Sequence, residues 1–315
     1  MTAAFELNTP TETSPTEEEL RARFDPERIG QLAEEFLTSG TPFNLKELAG
    51  NRQFVVAYIP ADSPYADIPR SVETTVFAKY FDQSLAQVVK DYGKYDPVST
   101  FAAVIDVSTP VPRAAGALRI CEYDPKLGFK DANDLLIDDP ENPWIDEIKA
   151  NYFASGEAYD VATAWRRLGE KASGEELELG ESLDIATHSS AEDYRGEHGN
   201  LDGVSMLFYH ACLRYAFAHG KRNMLAIFEI KPLDNLQQFG EPFELYPGLK
   251  PHPYGGGPRD TLPAFCRVEK GTQIRISNIN KIAADVLIYG AGLENLGLLP
   301  NEYQPDKYGN QVVNL

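Results

Sequence analysis

Between Arg195 and Gly203 the chain sets one guanidinium beside Gly196, Gly199, Asn200 and Gly203, with three glycines inside eight residues. Glycine adopts φ values that other residues avoid and lets the backbone come close to a ligand, so such a turn can aim successive N–H groups at one point. Val204, Leu207, Phe208, Ala211, Tyr215 and Ala218 then follow at helical spacing, and Gly220 ends them. A helix N-terminus adds about half a positive charge, so turn and helix together make an anion site suited to a pyrophosphate. The other reading of the same spacing is an ordinary crossover whose glycines only make a tight turn. The pattern is neither the dinucleotide nor the P-loop fingerprint, and Lys221 stands at the wrong helix end for the latter.

The remaining reactive side chains narrow the chemistry. His188, His198, His210, His219 and His252 form no metal motif with a carboxylate partner, so no metal is expected. Ser189 and Ser205 lack a Gly-x-Ser-x-Gly elbow, which leaves a hydrolase with little support. Cys121, Cys212 and Cys266 lie far apart in apolar runs, match no zinc or redox spacing, and read as reduced core residues. With 29 Lys and Arg against 48 Asp and Glu, the 315-residue chain carries a formal charge of −19, which argues against a nucleic-acid partner. The same acidity requires any phosphate site to be built locally, from backbone N–H groups and a few basic residues. No run reaches the roughly 18–20 apolar residues of a membrane span, and no basic-then-apolar leader opens the chain, so the expected setting is cytoplasmic.

Several elements must hold these groups in place. Residues 1–22 read as an acidic, mobile tail. Ile29, Leu32, Ala33, Phe36 and Leu37 predict a helix that Asp25 caps and Pro26 opens. Gln53 to Pro60 is a strand, and Val72, Val76, Phe77, Tyr80 and Phe81 mark a helix after it. Thr100 to Val107 and Ala114 to Cys121 predict an antiparallel hairpin buried on both faces. Residues 124–180 are an insert with helices near Trp144 to Phe153 and Tyr159 to Leu168. Glu181 to Ser189 is the strand that enters the glycine turn, and Met224 to Ile230 the strand that leaves its helix. A short helix over Asp234 to Phe239, a strand near Pro242 to Leu245, a Gly/Pro loop from Pro247 to Pro263 and a strand near Phe265 to Val268 complete a domain spanning 23–270. Residues 271–315 are a C-terminal extension.

This order of elements, and the run from Asp184 to Ile230, resembles the GNAT superfamily of acyl-CoA N-acyltransferases. Its members bind the coenzyme A pyrophosphate at an Arg/Gln-x-x-Gly-x-Gly/Ala turn after the fourth strand, whereas this turn reads Arg195-x-x-x-Gly199-x-x-x-Gly203. A second, looser likeness runs through Arg70, Glu73, Val76, Phe77, Tyr92, Asp96, Phe101, Asp106, Gly116 and Arg119, whose spacing is similar to the amino half of acyl-homoserine-lactone synthases and long-chain N-acyl amino acid synthases. The resemblance implies an α/β fold: a GNAT-like mixed, mostly antiparallel twisted sheet flanked by helices, here with a helical insert and terminal extensions. It also implies acyl-CoA or acetyl-CoA as co-substrate, or an acyl carrier protein as donor, and a small-molecule amine as acceptor. On that mapping Arg195, Gly196, Gly199, Asn200 and Gly203 fall in or beside the pyrophosphate loop, and backbone N–H groups around Ala186 and Thr187 serve the thioester carbonyl.

Acyl transfer from a thioester to an amine needs a deprotonated amine, hydrogen bonds to the tetrahedral oxyanion and a proton for the departing thiolate. Glu73, Glu122 and Asp184 are the candidate bases. Each has a plainer reading, as a solvated helix position, a strand-end carboxylate and a backbone-bonding strand residue respectively. Tyr254, beside His252 and the run Gly255 to Gly257, is the candidate acid; its other reading is a surface turn. The expected activity is N-acyl transfer by direct attack, and the alternative is a non-catalytic GNAT-like domain that binds a ligand or partner.

Overall fold

The structure is a computed structural model that describes residues 15–40, 44–49, 53–174, 178–195, 203–239, 243–254, 257 and 259–268. Order begins earlier than the tail composition predicts. Helix α1 (Glu17–Arg23) starts at a capping box in which Thr16 and Glu19 exchange hydrogen bonds, and it buries Leu20. Three acidic residues in its first turn suit the helix dipole, so the run that reads as a solvating tail is a helix start.

Asp25 caps α2 (Pro26–Ser39), and α3 (Leu45–Ala49) leads into β1 (Phe54–Pro60). Next come α4 (Asp67–Phe81), α5 (Leu85–Gly93), β2 (Ser99–Asp106) and β3 (Arg113–Glu122). The insert holds α6 (Lys130–Leu136), α7 (Ile145–Tyr152) and α8 (Val161–Ser173). Beyond it lie β4 (Ser182–Ser190), α9 (Gly203–Ala218), β5 (Asn223–Glu229) and α10 (Ile230–Phe239), then β6 (Phe243–Leu245), β7 (His252–Pro253) and β8 (Asp260–Arg267).

The strands form one sheet in the order β1-β2-β3-β4-β5-β8-β6, with β7 on β8. Every pairing is antiparallel except β4 with β5, because α9 crosses over between them. Side-chain alternation gives each face its own cover. Ala57, Ile59, Ala103 and Ile105 pack on α2, and Leu225 and Phe265 pack on the insert's Phe129, Trp144 and Trp165, all on one face. Val56, Tyr58, Leu118, Ile185 and Met224 face α9, with Leu233 and Leu236 of α10, on the other.

Two expectations change. Helix α9 is buried on all sides from Val204 to Ala216 rather than along one stripe, since apolar residues fall on every side of it and Ser205, His210 and Arg214 are buried among them. The stretch Pro247 to Pro263, expected as a loop, contains β7 and the start of β8, and β8 inserts between β5 and β6 and pairs with both. Such a mixed sheet, mostly antiparallel and flanked by helices on both faces, is GNAT-like.

Candidate active site

The parallel pair β4–β5 lasts for three residue pairs, Ser182 with Asn223, Leu183 with Met224 and Asp184 with Leu225. Both strands continue past that point, β4 to Ser190 and β5 to Glu229, without pairing further, so they part. On its other edge β4 stays paired to β3, but the register slips: Arg119 opposes Thr187 and Ile120 opposes Ile185, which leaves Ala186 as an extra residue. A bulge bends its strand and re-aims the local backbone. Here it lies two residues beyond the last pair, and Ala186 packs on Cys121 and Tyr95.

A carboxyl cluster occupies the mouth of the gap. Asp184 is fully buried, and its Oδ2 accepts the Asp131 backbone N–H at 2.8 Å. Asp131 Oδ2 in turn accepts the Ile227 N–H of β5 at 3.0 Å. Burial and the neighbouring Asp131 carboxylate push Asp184 well above the ordinary carboxylate range. Burial raises Asp131 to about 6, against the pull of Lys130. The Lys130 ammonium donates to Asp131 Oδ1 at 3.2 Å, Asp134 Oδ2 at 3.0 Å and the Tyr254 hydroxyl at 3.0 Å. It also lies over the Tyr92 and Tyr254 rings. Lys130, Asp134, Tyr92, Tyr95 and Tyr254 line a cavity of about 460 Å³, which Phe81, Asp91, Asp139 and Glu141 also border.

Beside this cavity a second network joins four elements. The Arg119 guanidinium, fully buried on β3, forks onto Glu73 of α4 with Nε–Oε1 at 2.8 Å and Nη2–Oε2 at 2.6 Å. Its Nη1 donates to Asp96 Oδ1 at 2.7 Å, and the Thr187 hydroxyl of β4 donates to Glu73 Oε1 at 2.6 Å. Arg70 closes the circuit on Asp96 at 2.8 Å. The Glu73 carboxylate, although burial opposes it, holds Arg119 above its usual range, so the guanidinium stays charged.

The sequence-predicted residues therefore divide. Asp184, Ala186, Thr187 and Glu73 meet on the α4–α6 face at the strand gap, and Tyr254 joins them at the cavity wall. Tyr254 donates to Asp134 there, and burial pushes its hydroxyl well above the usual phenol range. Glu122 lies on the opposite face, where Tyr215, His219 Nδ1 and Lys221 each bond it at 2.8 Å near the C-terminal end of α9. His219 first, then Lys221 and Tyr215 against the effect of part burial, hold Glu122 down at about 2. Arg195 donates from Nε to Ser190 O at 2.9 Å at the end of β4, and Gly203 opens α9. Gly196, Gly199 and Asn200 lie outside the described residues. Sequence reasoning passes over Lys130 and Asp131; the Lys130-x-x-x-Asp134 spacing, which places opposite charges on one helix face, is a signal for Lys130 alone.

The described residues contain no cluster of potential metal ligands and no helix long and apolar enough to cross a membrane. No family model and no curated protein matches the chain. Among solved structures it is similar to a CoA-dependent acyl-homoserine lactone synthase, BjaI, with MTA, at 11% identity and a TM-score of 0.41. It is also similar to the same synthase with SAM and isopentyl-CoA, at 12% and 0.39. Each superposition covers 78% of this chain and 91% of the synthase. The GNAT-like character of the fold rests on the strand order and the parting of β4 from β5.

Proposed function

We propose that the chain moves an acyl group from a coenzyme A or carrier-protein thioester to the amine of a small molecule by direct attack. The observation that carries this reading is the gap between β4 and β5, bounded by the last pair Asp184–Leu225 and flanked by the bulge at Ala186. An extended amide-bearing arm fits between two strands that have ceased to pair, because their facing backbone groups need partners. The Ala186 N–H, at the bulge, serves the thioester oxygen as it gains charge. Turn residues Arg195, Gly196, Gly199, Asn200 and Gly203 hold the donor's pyrophosphate at the start of α9.

The acceptor enters the cavity of about 460 Å³, whose lining of rings and carboxylates suits an amine-bearing molecule better than a fatty chain. Asp184, buried beside the last β4–β5 pair, handles protons at the gap in this reading. Both Glu73 oxygens are engaged by Arg119, so its part is to fix β3, β4 and α4 around the site, with Thr187 as the link to β4. Tyr254 orients Lys130 and Asp134 on the acceptor side, and Glu122 secures α9 on the opposite face.

Titration calorimetry with acetyl-CoA and with a long-chain acyl-CoA tests the donor, and Ala186→Pro tests the oxyanion assignment. The variant lacks the N–H and is expected to bind donor within about threefold of the parent while losing about 10²–10³ in kcat. Failure of the parent protein to bind either thioester would sink the reading, as would full turnover by the proline variant.

A further inference from the structure

Asp131 belongs to the insert, and no motif marks it, yet it touches both strands where they part. Its N–H donates to Asp184 of β4 at 2.8 Å, its Oδ2 accepts from Ile227 of β5 at 3.0 Å, and its Oδ1 takes Lys130 at 3.2 Å. One residue thus spans the divergence and uses both carboxylate oxygens on donors. Asp184 differs from it. Oδ2 has the Asp131 N–H, but Oδ1 is buried with no hydrogen-bond partner. A buried carboxylate oxygen left bare is costly, whereas the same oxygen carrying hydrogen is a donor awaiting an acceptor.

Asp131 and Asp184 are both buried and joined through the Asp131 N–H, and neighbouring carboxyls out of water do not both ionise readily, so the pair holds one proton. The donors decide where it sits. Lys130 and the Ile227 N–H favour the anion on Asp131, so the proton belongs on Asp184 Oδ1. The charged and titratable surroundings agree. On α6, Lys130 is the cation bonded to Asp131, and Asp134 adds a further negative charge. Cys121 on β3 is a thiol that burial keeps neutral; burial, with the Asp184 charge, raises the phenols of Tyr95 and Tyr246, and burial, with the Asp131 charge, those of Tyr92 and Tyr254.

We infer that Asp131 is a positioning residue for the acyl transfer: held by Lys130 and Ile227, it keeps on Asp184 Oδ1 the proton that the departing thiolate takes. The inference rests on the acyl-transfer reading. In the step, the amine nitrogen bonds to the thioester carbon, and the C–S bond breaks with its electron pair passing to sulfur. Asp184 Oδ1 gives its proton to that sulfur, and the carboxylate so formed takes the surplus proton from the new amide nitrogen. Asp184 ends the cycle as it began, and no other reactant is consumed.

The test follows the side-chain carboxyl signals of the full chain, labelled with carboxyl-13C aspartate, across pH in the parent, Asp131→Asn and Asp184→Asn. The last variant identifies the Asp184 signal. Asp184 is expected to titrate well above the ordinary range in the parent and at least one pH unit lower in Asp131→Asn, where the neighbouring charge is gone. In parallel, thiol release from acetyl-CoA with hydroxylamine as the amine should lose its alkaline limb at a correspondingly lower pH in Asp131→Asn. Asp131→Glu, which keeps the charge, should return the limb toward the parent. The inference is overturned if both parent carboxyls titrate near pH 4, or if Asp184 does not move in Asp131→Asn. It is also overturned if the signal moves while the rate profile of a folded variant overlays the parent. If the signals behave as expected but no pH supports thiol release, the acyl-transfer reading falls while the shared proton stands.

Discussion

Arg119 and Glu73 show how strongly a single side chain is determined by what surrounds it. Both are almost wholly buried, at 0% and 1% exposure, and two parallel hydrogen bonds join them. Taking two charges out of water costs several kcal/mol, and the fork geometry offsets that cost only while both partners remain. Glu73→Leu leaves a guanidinium with Asp96 and Ser99 alone, and is expected to lower unfolding stability in urea by about 3 kcal/mol. Replacing both, as Glu73→Leu with Arg119→Met, removes the incompletely paired buried charge and should recover at least half of that loss. A double variant less stable than Glu73→Leu alone would refute this account of the pair. Glu122 obeys the same rule on the other face. Its three partners come from a helix end that no local spacing reveals, so a carboxylate that reads from sequence as a candidate base is found securing α9.

Elements reach the site through close approach as well as through charge. Gly116 of β3 lies under α9, where an added Cβ would stand 2.5 Å from Phe208 Cζ and 2.8 Å from Val204 Cγ1. Val204 and Phe208 belong to the first half of α9, so a side chain at Gly116 pushes on the end of the helix that follows the glycine turn. Gly116→Ala is expected to cost about 1–3 kcal/mol through overpacking and to raise the donor KM several-fold with kcat largely kept. An unchanged KM would detach α9 from donor binding. Periodicity made β1 to β5, α2, α4 and α9 legible in the sequence, because each repeats its apolar residues over two or more turns or pleats. It missed α5, whose apolar face is short, and α6, whose Asp131, Asn133 and Asp134 favour turns over helices. Helix α6 is held by partners distant in sequence, through Asp184 and Ile227. The bulge at Ala186 is hidden for a related reason: a bulge exists only relative to the strand opposite, and one sequence does not state its register.

Across the whole molecule these carboxyls set opposite slopes of stability against pH. Glu122 is held at about 2, and Asp67 and Asp106 are also depressed, Asp67 by Arg23 and Arg70 and Asp106 by Ser108, in both cases against burial. What a depressed carboxyl contributes is present above its unfolded value near 4 and is lost as pH falls toward 2. Asp131, at about 6, and Asp184 are raised. Their contribution is full below about 4 and is lost as pH rises through 6 and beyond. A formal charge of −19 near neutrality adds self-repulsion that weakens as carboxylates are titrated away. The depressed carboxyls set the acid limb, and the raised pair and the self-repulsion set the alkaline decline, so the maximum of stability lies on the acid side of neutrality, between the unfolded carboxylate range and about pH 6. Thermal unfolding should therefore give a higher Tm at pH 5.5 than at pH 8, each ~1 kcal/mol appearing as roughly 2 °C in a chain of this size. Salt separates the causes: 0.5 M NaCl screens the surface repulsion but not the buried pair. Asp184→Asn removes the pair's demand for a proton, so it should flatten the decline above pH 6 in high salt while leaving the acid limb in place. If that decline persists unchanged in Asp184→Asn at high salt, the slope belongs to other groups and the buried pair does not govern it.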